Sequence, residues 1–447
     1  MRDTRKSLIF AALISLSLYV FLAYAIDRHQ TGPLLTGYFV LFVLYAWIIR
    51  RKEFFTQRTV HRLMWSGVLF RAALIFSIPA LSDDFYRFIW DGRVLAAGYH
   101  PFTQVPAWFI AEGRNIPGLD QELFQLLNSP DRFTSYPPVC QFVYWLSAIV
   151  SLHSIHGSVI AMKIILLFFE VGNLIVIRKT LKLFARAEDN VLVYALNPLV
   201  ILEVSGNVHF EGMMVFFLIL SIYLLKKSAR VGSAIAFALS VCTKLIPLLF
   251  LPLLARYLGW RRAAAYWALT LAFSAALFVP FLSLDFFSGM SASLGYYFQR
   301  FEFNASIYYI VREVGYYFAG FNIIQYAGPA LACIAGIIVL YIALNRFPNR
   351  VADAVDSTLF ERMMWSLFVY FLSTTILHPW YTITLLTASL FTSYRFPIVW
   401  TGLIFLTYSG YSADGFEENL VMVAMEYVLL SIYIYYEVKW MKRENPV

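Results

Sequence analysis

The chain has 447 residues, of which 60% are apolar, 18% aromatic and only 14% charged, where a soluble domain carries about 25% charged residues. Its mean hydropathy of +0.67 is spread over many apolar runs of about 17 to 25 residues, each able to cross about 30 Å of hydrocarbon. Soluble enzyme, nucleic-acid-binding module and disordered scaffold are excluded together. The formal charge of +8 sits in short Lys/Arg clusters between apolar runs, where it orients segments rather than binding nucleic acid. Cys140, Cys242 and Cys333 lack CxxC spacing, so neither a disulfide framework nor a zinc site is indicated.

The first apolar run, Ser7 to Ile26, follows a basic N-terminus and ends in Ala23-Tyr24-Ala25, so a cleaved signal peptide competes with a retained helix. Its length exceeds the roughly 7 to 15 residues of a signal core and favours retention. The second run, 31–49, ends in Arg50-Arg51-Lys52 with Arg58 and Arg62 behind it, which assigns that loop to the cytoplasm. The third, 60–80, then delivers Ser82-Asp83-Asp84 to the opposite face.

Further runs lie at 138–153, 158–177, 190–205, 209–225, 232–257, 263–282, 325–344, 361–377, 380–393, 397–412 and 419–437. The expectation is an all-α polytopic helical bundle of about twelve to fourteen spans, short or re-entrant helices included. Basic clusters at Arg178-Lys179/Lys182/Arg186, Lys226-Lys227/Arg230, Arg256/Arg261-Arg262, Arg346/Arg350, Arg395 and Lys439/Lys442-Arg443 all favour the cytoplasm. If 138–153 and 158–177 both cross fully, Arg178 to Arg186 land outside, so one of the two is expected to be a half-helix. Lys244-Leu245-Ile246-Pro247 breaks the run 232–257 in the same manner, because proline removes a helical hydrogen bond.

Two long polar stretches, 82–135 and about 282–317, are candidates for an extracytoplasmic surface. In the first, Phe85, Phe88, Ile89 and Leu95 recur at helical spacing beside Arg87, Asp91 and Arg93, which predicts an amphipathic helix lying at the interface. The chain divides accordingly into N-terminal helices (1–81), a catalytic loop (82–136), a transmembrane core (137–282), a second outer loop (283–324) and C-terminal helices (325–447).

Four constellations carry the chemistry. Asp83, Asp84, Arg87, Asp91 and Arg93 crowd the start of the first loop. Adjacent carboxylates at the hydrocarbon edge repel and are costly to ionise, so one of them can hold the raised basicity of a general base; a solvated loop with ion pairs is the competing reading. Tyr136-Pro137-Pro138 precedes Gln141 at the head of a span, where paired prolines also suit a first helical turn. Asn197-Pro198, Glu203, Ser205, Asn207, His209 and Glu211 fill a short break between apolar runs, a concentration of polar groups that is costly unless it lines a cavity. Lys244 needs an anionic partner, with Glu203, Glu170 and a lipid phosphate as candidates. His378-Pro379-Trp380-Tyr381 joins two spans as site or as aromatic belt.

In their order along the chain, Asp84-Phe85-Tyr86-Arg87, Trp90-Asp91-Gly92-Arg93, Gly98-Tyr99-His100-Pro101-Phe102, Tyr136-Pro137-Pro138, Asn197-Pro198, Gly206-Asn207-Val208-His209-Phe210-Glu211, Lys244-Leu245-Ile246-Pro247 and His378-Pro379-Trp380-Tyr381 resemble the GT-C class of polytopic glycosyltransferases. The resemblance is to the bacterial polyprenyl-phosphate-mannose-dependent mannosyltransferases and spans roughly residues 60 to 390. Two departures are visible: two spans precede the one leading into the acidic loop, and Glu211 stands where the family often has Asp.

The resemblance implies transfer of a hexose, mannose favoured, from a polyprenyl-phosphate donor to the hydroxyl of a glycan or glycolipid on the outer side of the cytoplasmic (inner) membrane. Asp84, or Asp83 if the motif is offset, would be the general base of an inverting displacement. Lys244, Arg87, His209 and His378 would hold the donor phosphate. Tyr86, Trp90, Asp91, Arg93, Tyr136, Gln141, Asn207, Glu211, Trp380 and Tyr381 would line the substrate site. No cofactor or dedicated metal site is indicated, and a divalent cation is left open because hard cations want more oxygens than two Asp supply. A transporter or lipid flippase is the rival, since it too places charges inside about a dozen spans.

Overall fold

The computed structural model describes residues 2–111, 113, 116–345 and 354–444. The expected Arg346/Arg350 cluster lies outside them, as do the side chains of Lys442 and Arg443. The molecule is an all-α membrane bundle, and among the described residues its one sheet is a hairpin of β1 (Tyr411–Ser412) and β2 (Gly415–Phe416).

The helices follow the apolar runs: α1 (Arg2–Ala25), α2 (Thr31–Ile49), α3 (Gln57–Ala73), α4 (Asp84–Ala96), α5 (Pro106–Ala111), α6 (Gln121–Gln125), α7 (Pro138–Val150) and α8 (Ile155–Leu183). After them come α9 (Val191–Ala195), α10 (Pro198–Val200), a π-helical turn at Ile201–Gly206, α11 (Glu211–Lys226), α12 (Arg230–Val241), α13 (Leu254–Leu258) and α14 (Trp260–Phe278). The last third holds α15 (Leu284–Gln299), α16 (Ile307–Ala319), α17 (Ile324–Leu344), α18 (Ala354–Ser373), α19 (Thr382–Ser389), α20 (Phe396–Leu403) and α21 (Leu420–Glu444).

Six helical stretches, Lys6–Ala25, Thr31–Ile49, Ile155–Leu183, Trp260–Phe281, Ile324–Leu344 and Leu420–Met441, are long and apolar enough to cross a bilayer, and the chain is an integral membrane protein. A seventh crossing results if Pro198–Gly206 and Glu211–Lys226, bent by 112° at their break, form one span. The other apolar runs make shorter helices such as Pro138–Val150, Arg230–Val241 and Phe396–Gly410, so the dozen or more segments read from the sequence are reached only with these pieces counted. The expected break at Lys244 to Pro247 is present: α12 ends at Val241, and a 3-10 turn over Ile246–Phe250 follows.

Sidedness follows from helix ends. Arg178 near the end of α8 meets Glu188 at 2.7 Å and Gln57 at the start of α3 at 3.1 Å. Lys52 pairs with Asp189 at 3.1 Å, and Lys226 lies over the Phe184 ring. The basic clusters at 50–62, 178–186 and 226–230 therefore share one end of the bundle. At the other end Tyr24 donates to the Ala73 carbonyl, and His156 Nε2 lies 2.8 Å from the Phe76 carbonyl oxygen. The charge conflict disappears because α7, at 13 residues, is only about 20 Å long and too short to traverse, whereas α8, at 29 residues, is long and apolar enough to do so.

The third run is a helix for only 17 residues. Beyond Ala73 the backbone is irregular, which a bilayer tolerates only where side chains replace the missing bonds. Lys163 donates to the carbonyls of Leu74 (2.9 Å) and Ser77 (2.7 Å), and Asn207 Oδ1 accepts from the amides of Ala80 and Leu81. The adjoining core is a buried ion pair. Arg71 Nε meets Glu170 Oε2 at 2.8 Å with both side chains fully buried, Arg71 Nη1 donates to the Gly67 and Ala195 carbonyls, and Tyr194 and Asn173 donate to Glu170 Oε1. Glu170→Ala would strand the guanidinium at a cost of about 3–5 kcal/mol. Thermal unfolding of the purified protein should show that loss, and Arg71→Met combined with Glu170→Met should recover most of it.

Candidate active site

Asp84 opens α4, the helix expected to lie amphipathically at the interface. The helix is present, but Arg87, Asp91 and Arg93 are buried along with Phe85, Phe88 and Trp90, so it is an internal element rather than an interfacial one. The cause is close packing against α7: a Cβ on Gly92 would lie 2.2 Å from the Tyr144 carbonyl oxygen, so only glycine permits the approach. On the other flank Trp90 packs edge-on against Phe109 and tilted against Phe124, and Arg93 donates to the Gly118 carbonyl.

The second outer loop closes over the first. His100 Nε2 lies 2.7 Å from the Phe281 carbonyl, Arg132 sits 3.8 Å from the centre of the Tyr296 ring, and Gly289 abuts the Phe102 carbonyl. Between the loops and the helix ends lies a cavity of about 1580 Å³. Its walls bring together Asp83, Asp84, Arg87, Tyr136, His209, Lys244, His378, Trp380 and Tyr381, residues contributed by five separate segments of the chain.

The two carboxylates have different surroundings. Asp83 forms an ion pair with Arg28 from the α1–α2 connection, and that guanidinium also lies over the Tyr411 ring. Asp84 accepts from Asn128 Nδ2 at 2.9 Å and from the Tyr136 hydroxyl at 3.4 Å. Burial pushes the Asp84 carboxyl above its ordinary range, against the downward pull of Asn128 and of the Lys244 ammonium. Burial also holds the Tyr136 phenol well above its usual value, so it remains a donor.

Of the partners the sequence offered for Lys244, neither Glu203 nor Glu170 meets it; within the protein it pairs with Glu211 and lies over the Tyr381 ring. The correction has a simple cause: Glu170 is consumed by Arg71, while Glu203 accepts from Tyr408. Arg87 Nε meets Asp91 at 2.8 Å, Nη1 donates to the carbonyls of Ser129 and Arg132, and Nη2 is buried with no partner in the protein. The rings of His209, Trp380 and His378 stack in sequence, at 3.5 and 4.5 Å between centres.

Other expected substrate-site residues stand behind the wall. Tyr86, Trp90, Asp91, Arg93, Gln141, Asn207 and Glu211 do not line the cavity. Asp91 and Gln141 instead brace Arg87, Gln141 donating to Asp91 Oδ2 at 3.1 Å, while Glu211 neutralises Lys244 and Asn207 pins the chain entering the acidic loop. Trp90 and Arg93 are bound to the α5–α6 region, and the Tyr86 ring lies on that of Phe85. Sequence reasoning missed Arg28, Asn128, Arg132, Tyr297 and Tyr411, which do line it. Arg28 and Arg132 left a signal, as cations in connections that the charge rule places outside.

Residues 16–260 match the family model described as "Alpha-(1->6)-mannopyranosyltransferase, N-terminal domain", more than half of the chain. The chain belongs to this family. Among curated proteins none matches it. Membership makes it a mannosyltransferase and decides for an enzyme over a transporter or flippase. As for a metal, no group of three His, Cys, Asp or Glu side chains among the described residues is placed to hold one, and the Asp83 carboxylate that would join Asp84 is occupied by Arg28.

Gly92→Ala, a change of one methyl group, should force α4 away from α7 and displace Asp84 with it. Activity of the purified transferase should fall far more than its retention in membranes, whereas alanine at the open Gly98 turn, whose Cβ would meet nothing within 4 Å, should cost only the strain of its φ of 80°.

Proposed function

We propose that the transferase moves mannose from a polyprenyl-phosphate donor to a hydroxyl of a glycan or glycolipid on the outer face of the cytoplasmic membrane, with Asp84 as general base. The observation that carries this reading is the lining of one cavity. Asp84, Asn128, Tyr136 and the tyrosines of α15 line it together with the apolar Leu248, Leu249, Pro252, Gly336, Val339 and Leu340. Lys244 and Arg87 line the same cavity. A carboxylate for a hydroxyl, cations for a phosphate and an apolar wall for a hydrocarbon chain are the three parts that such a donor and acceptor need.

The step balances simply. The acceptor oxygen attacks the anomeric carbon as Asp84 takes its proton, and the bond from that carbon to the phosphate oxygen breaks with its electron pair leaving on the phosphate. Lys244 and Arg87 meet that charge in a water-poor site, where preorganised donors act most strongly. One displacement inverts the centre, so the α linkage in the family's description calls for a β-linked donor. Orientation rests on the charge rule: the basic clusters gather at the end opposite Asp84, and basic ends face the cytoplasm.

Asp84→Asn should lower transfer by a factor on the order of 10²–10⁴ without loss of protein from the membrane; undiminished product from the purified variant removes Asp84 from the mechanism. Because a base whose pKa is raised is lost as pH falls through that raised value, the acidic limb of kcat/KM in the native enzyme should lie above the ordinary Asp value of about 4.

The apolar wall has its own test. A Cβ on Gly336 meets nothing within 4 Å, so Gly336→Trp narrows that part of the cavity without disturbing the helix. It should cut kcat/KM for a full-length polyprenyl donor by roughly tenfold or more and spare a mannosyl phosphate carrying a short isoprenoid. Equal losses for both donors would place the lipid elsewhere.

A further inference from the structure

The residues between α10 and α11 contain more order than the proposed chemistry has used. Ile201–Gly206 is a π-helical turn, and Val208, a β-branched residue, has a φ of 62°, a combination that costs energy and recurs at functional sites. Its effect is to turn His209 back toward Glu203: the His209 amide donates to the Glu203 carbonyl at 3.1 Å, and His209 Nε2 faces Glu203 Oε2 at 3.4 Å. Both atoms are buried, and neither has a hydrogen-bond partner in the protein. Glu203 is held from behind by the Tyr408 hydroxyl, 2.6 Å from Oε1, and the His209 ring is fixed by its stack on Trp380.

Two buried, unsatisfied polar atoms facing each other at this distance are relieved by one shared hydrogen bond, which a shift of about half an ångström completes; leaving each unmade costs about 1–3 kcal/mol. If Glu203 accepts on Oε2 as it does from Tyr408 on Oε1, the proton lies on Nε2, and the other ring nitrogen of the neutral imidazole keeps its lone pair. His209 lines the cavity beside Lys244, Trp380 and His378. A lone pair repels phosphate oxygens, whereas a sugar hydroxyl donates to it.

We propose that His209 is a specificity-determining residue that accepts a hydrogen bond from one hydroxyl of the transferred mannose, and that Glu203 is its positioning residue, fixing the ring's tautomer and angle. This rests on the donor reading of the cavity. It moves His209 from the phosphate, where the sequence put it, to the sugar.

The test uses the full-length purified enzyme with polyprenyl-phosphate mannose and its monodeoxy analogues. Each of His209→Phe, which keeps the stack on Trp380, and Glu203→Gln should lower donor kcat/KM by about tenfold, the loss of one hydrogen bond. The double variant should be no worse than His209→Phe alone. One monodeoxy donor should be turned over about tenfold less well than the complete donor by the native enzyme, and equally well by either variant. Multiplying losses in the double variant, or an unchanged deoxy pattern, would assign Glu203 a purely structural role and overturn the proposal. Should Glu203→Gln fail to fold, Tyr408→Phe removes only the rear bond on the carboxylate; it should lower activity in the native background and not in His209→Phe, and a loss in both overturns the proposal equally. Full activity of His209→Phe sinks the pair while leaving Asp84 untouched, because Asp84→Asn reports on the base separately.

Discussion

An ammonium group placed where hydrocarbon surrounds it has to find an anion, and most of the site can be understood from how Lys244 does so. Two helices are interrupted to satisfy it. The run containing Lys244 stops at Val241 and resumes as a 3-10 turn from Ile246, which turns the lysine into the cavity. The facing segment breaks between Gly206 and Glu211 with a bend of 112°, which starts α11 on the carboxylate that neutralises it. Unwound backbone in such breaks is tolerable only against protein or a lined cavity, so the ion pair and the cavity imply one another.

The same constraint separates the two aspartates. Adjacent carboxylates in a poorly hydrated mouth cannot both remain unpaired anions. Arg28 reaches from the first connection to take Asp83, and the half-buried Asp84 is left with neutral donors, Asn128 and Tyr136. The Asp84 carboxyl, held by an amide and a phenol, is raised by burial, and a cation further off, Lys244, tempers that rise without pairing with it. Identity in sequence therefore becomes a difference in chemistry through partners that lie 55 and 44 residues away.

What could be read from the sequence was whatever the chain encodes locally. Apolar runs, basic clusters, the proline after Lys244 and the order of the motifs gave the membrane bundle, the two breaks and the nine residues that meet in the cavity. Pairing was not legible. Nothing near Lys244 distinguishes Glu211 from Glu203 or Glu170, because the choice is made by Arg71 and Tyr408 claiming the other two. The motif Trp90-Asp91-Gly92-Arg93 also misled, since its composition suggests a binding surface while its Gly92 permits the contact with α7 that buries it. Helical periodicity identified α4 but could not tell an interfacial helix from one covered on both sides, because the covering residues, Phe109, Phe124 and Tyr144, come from later in the chain.

Seven residues that do not line the cavity nevertheless account for much of its geometry. Arg87 is fixed by the donors it commits to Asp91 and to the carbonyls of Ser129 and Arg132, while Nη2 stays buried with no partner in the protein. Gln141 in turn anchors Asp91, and bonds the Tyr136 carbonyl as well. In the proposed step, a guanidinium held this way cannot swing to follow the departing phosphate and must already stand where the charge appears. That is the arrangement that lowers a transition state without reorganisation, and it explains why polar residues behind the wall belong to the same constellation as those on it: they restrict the freedom of the groups that would make contact, and rigidity of that kind is supplied by hydrogen bonds to buried neighbours rather than by the contacting residues themselves.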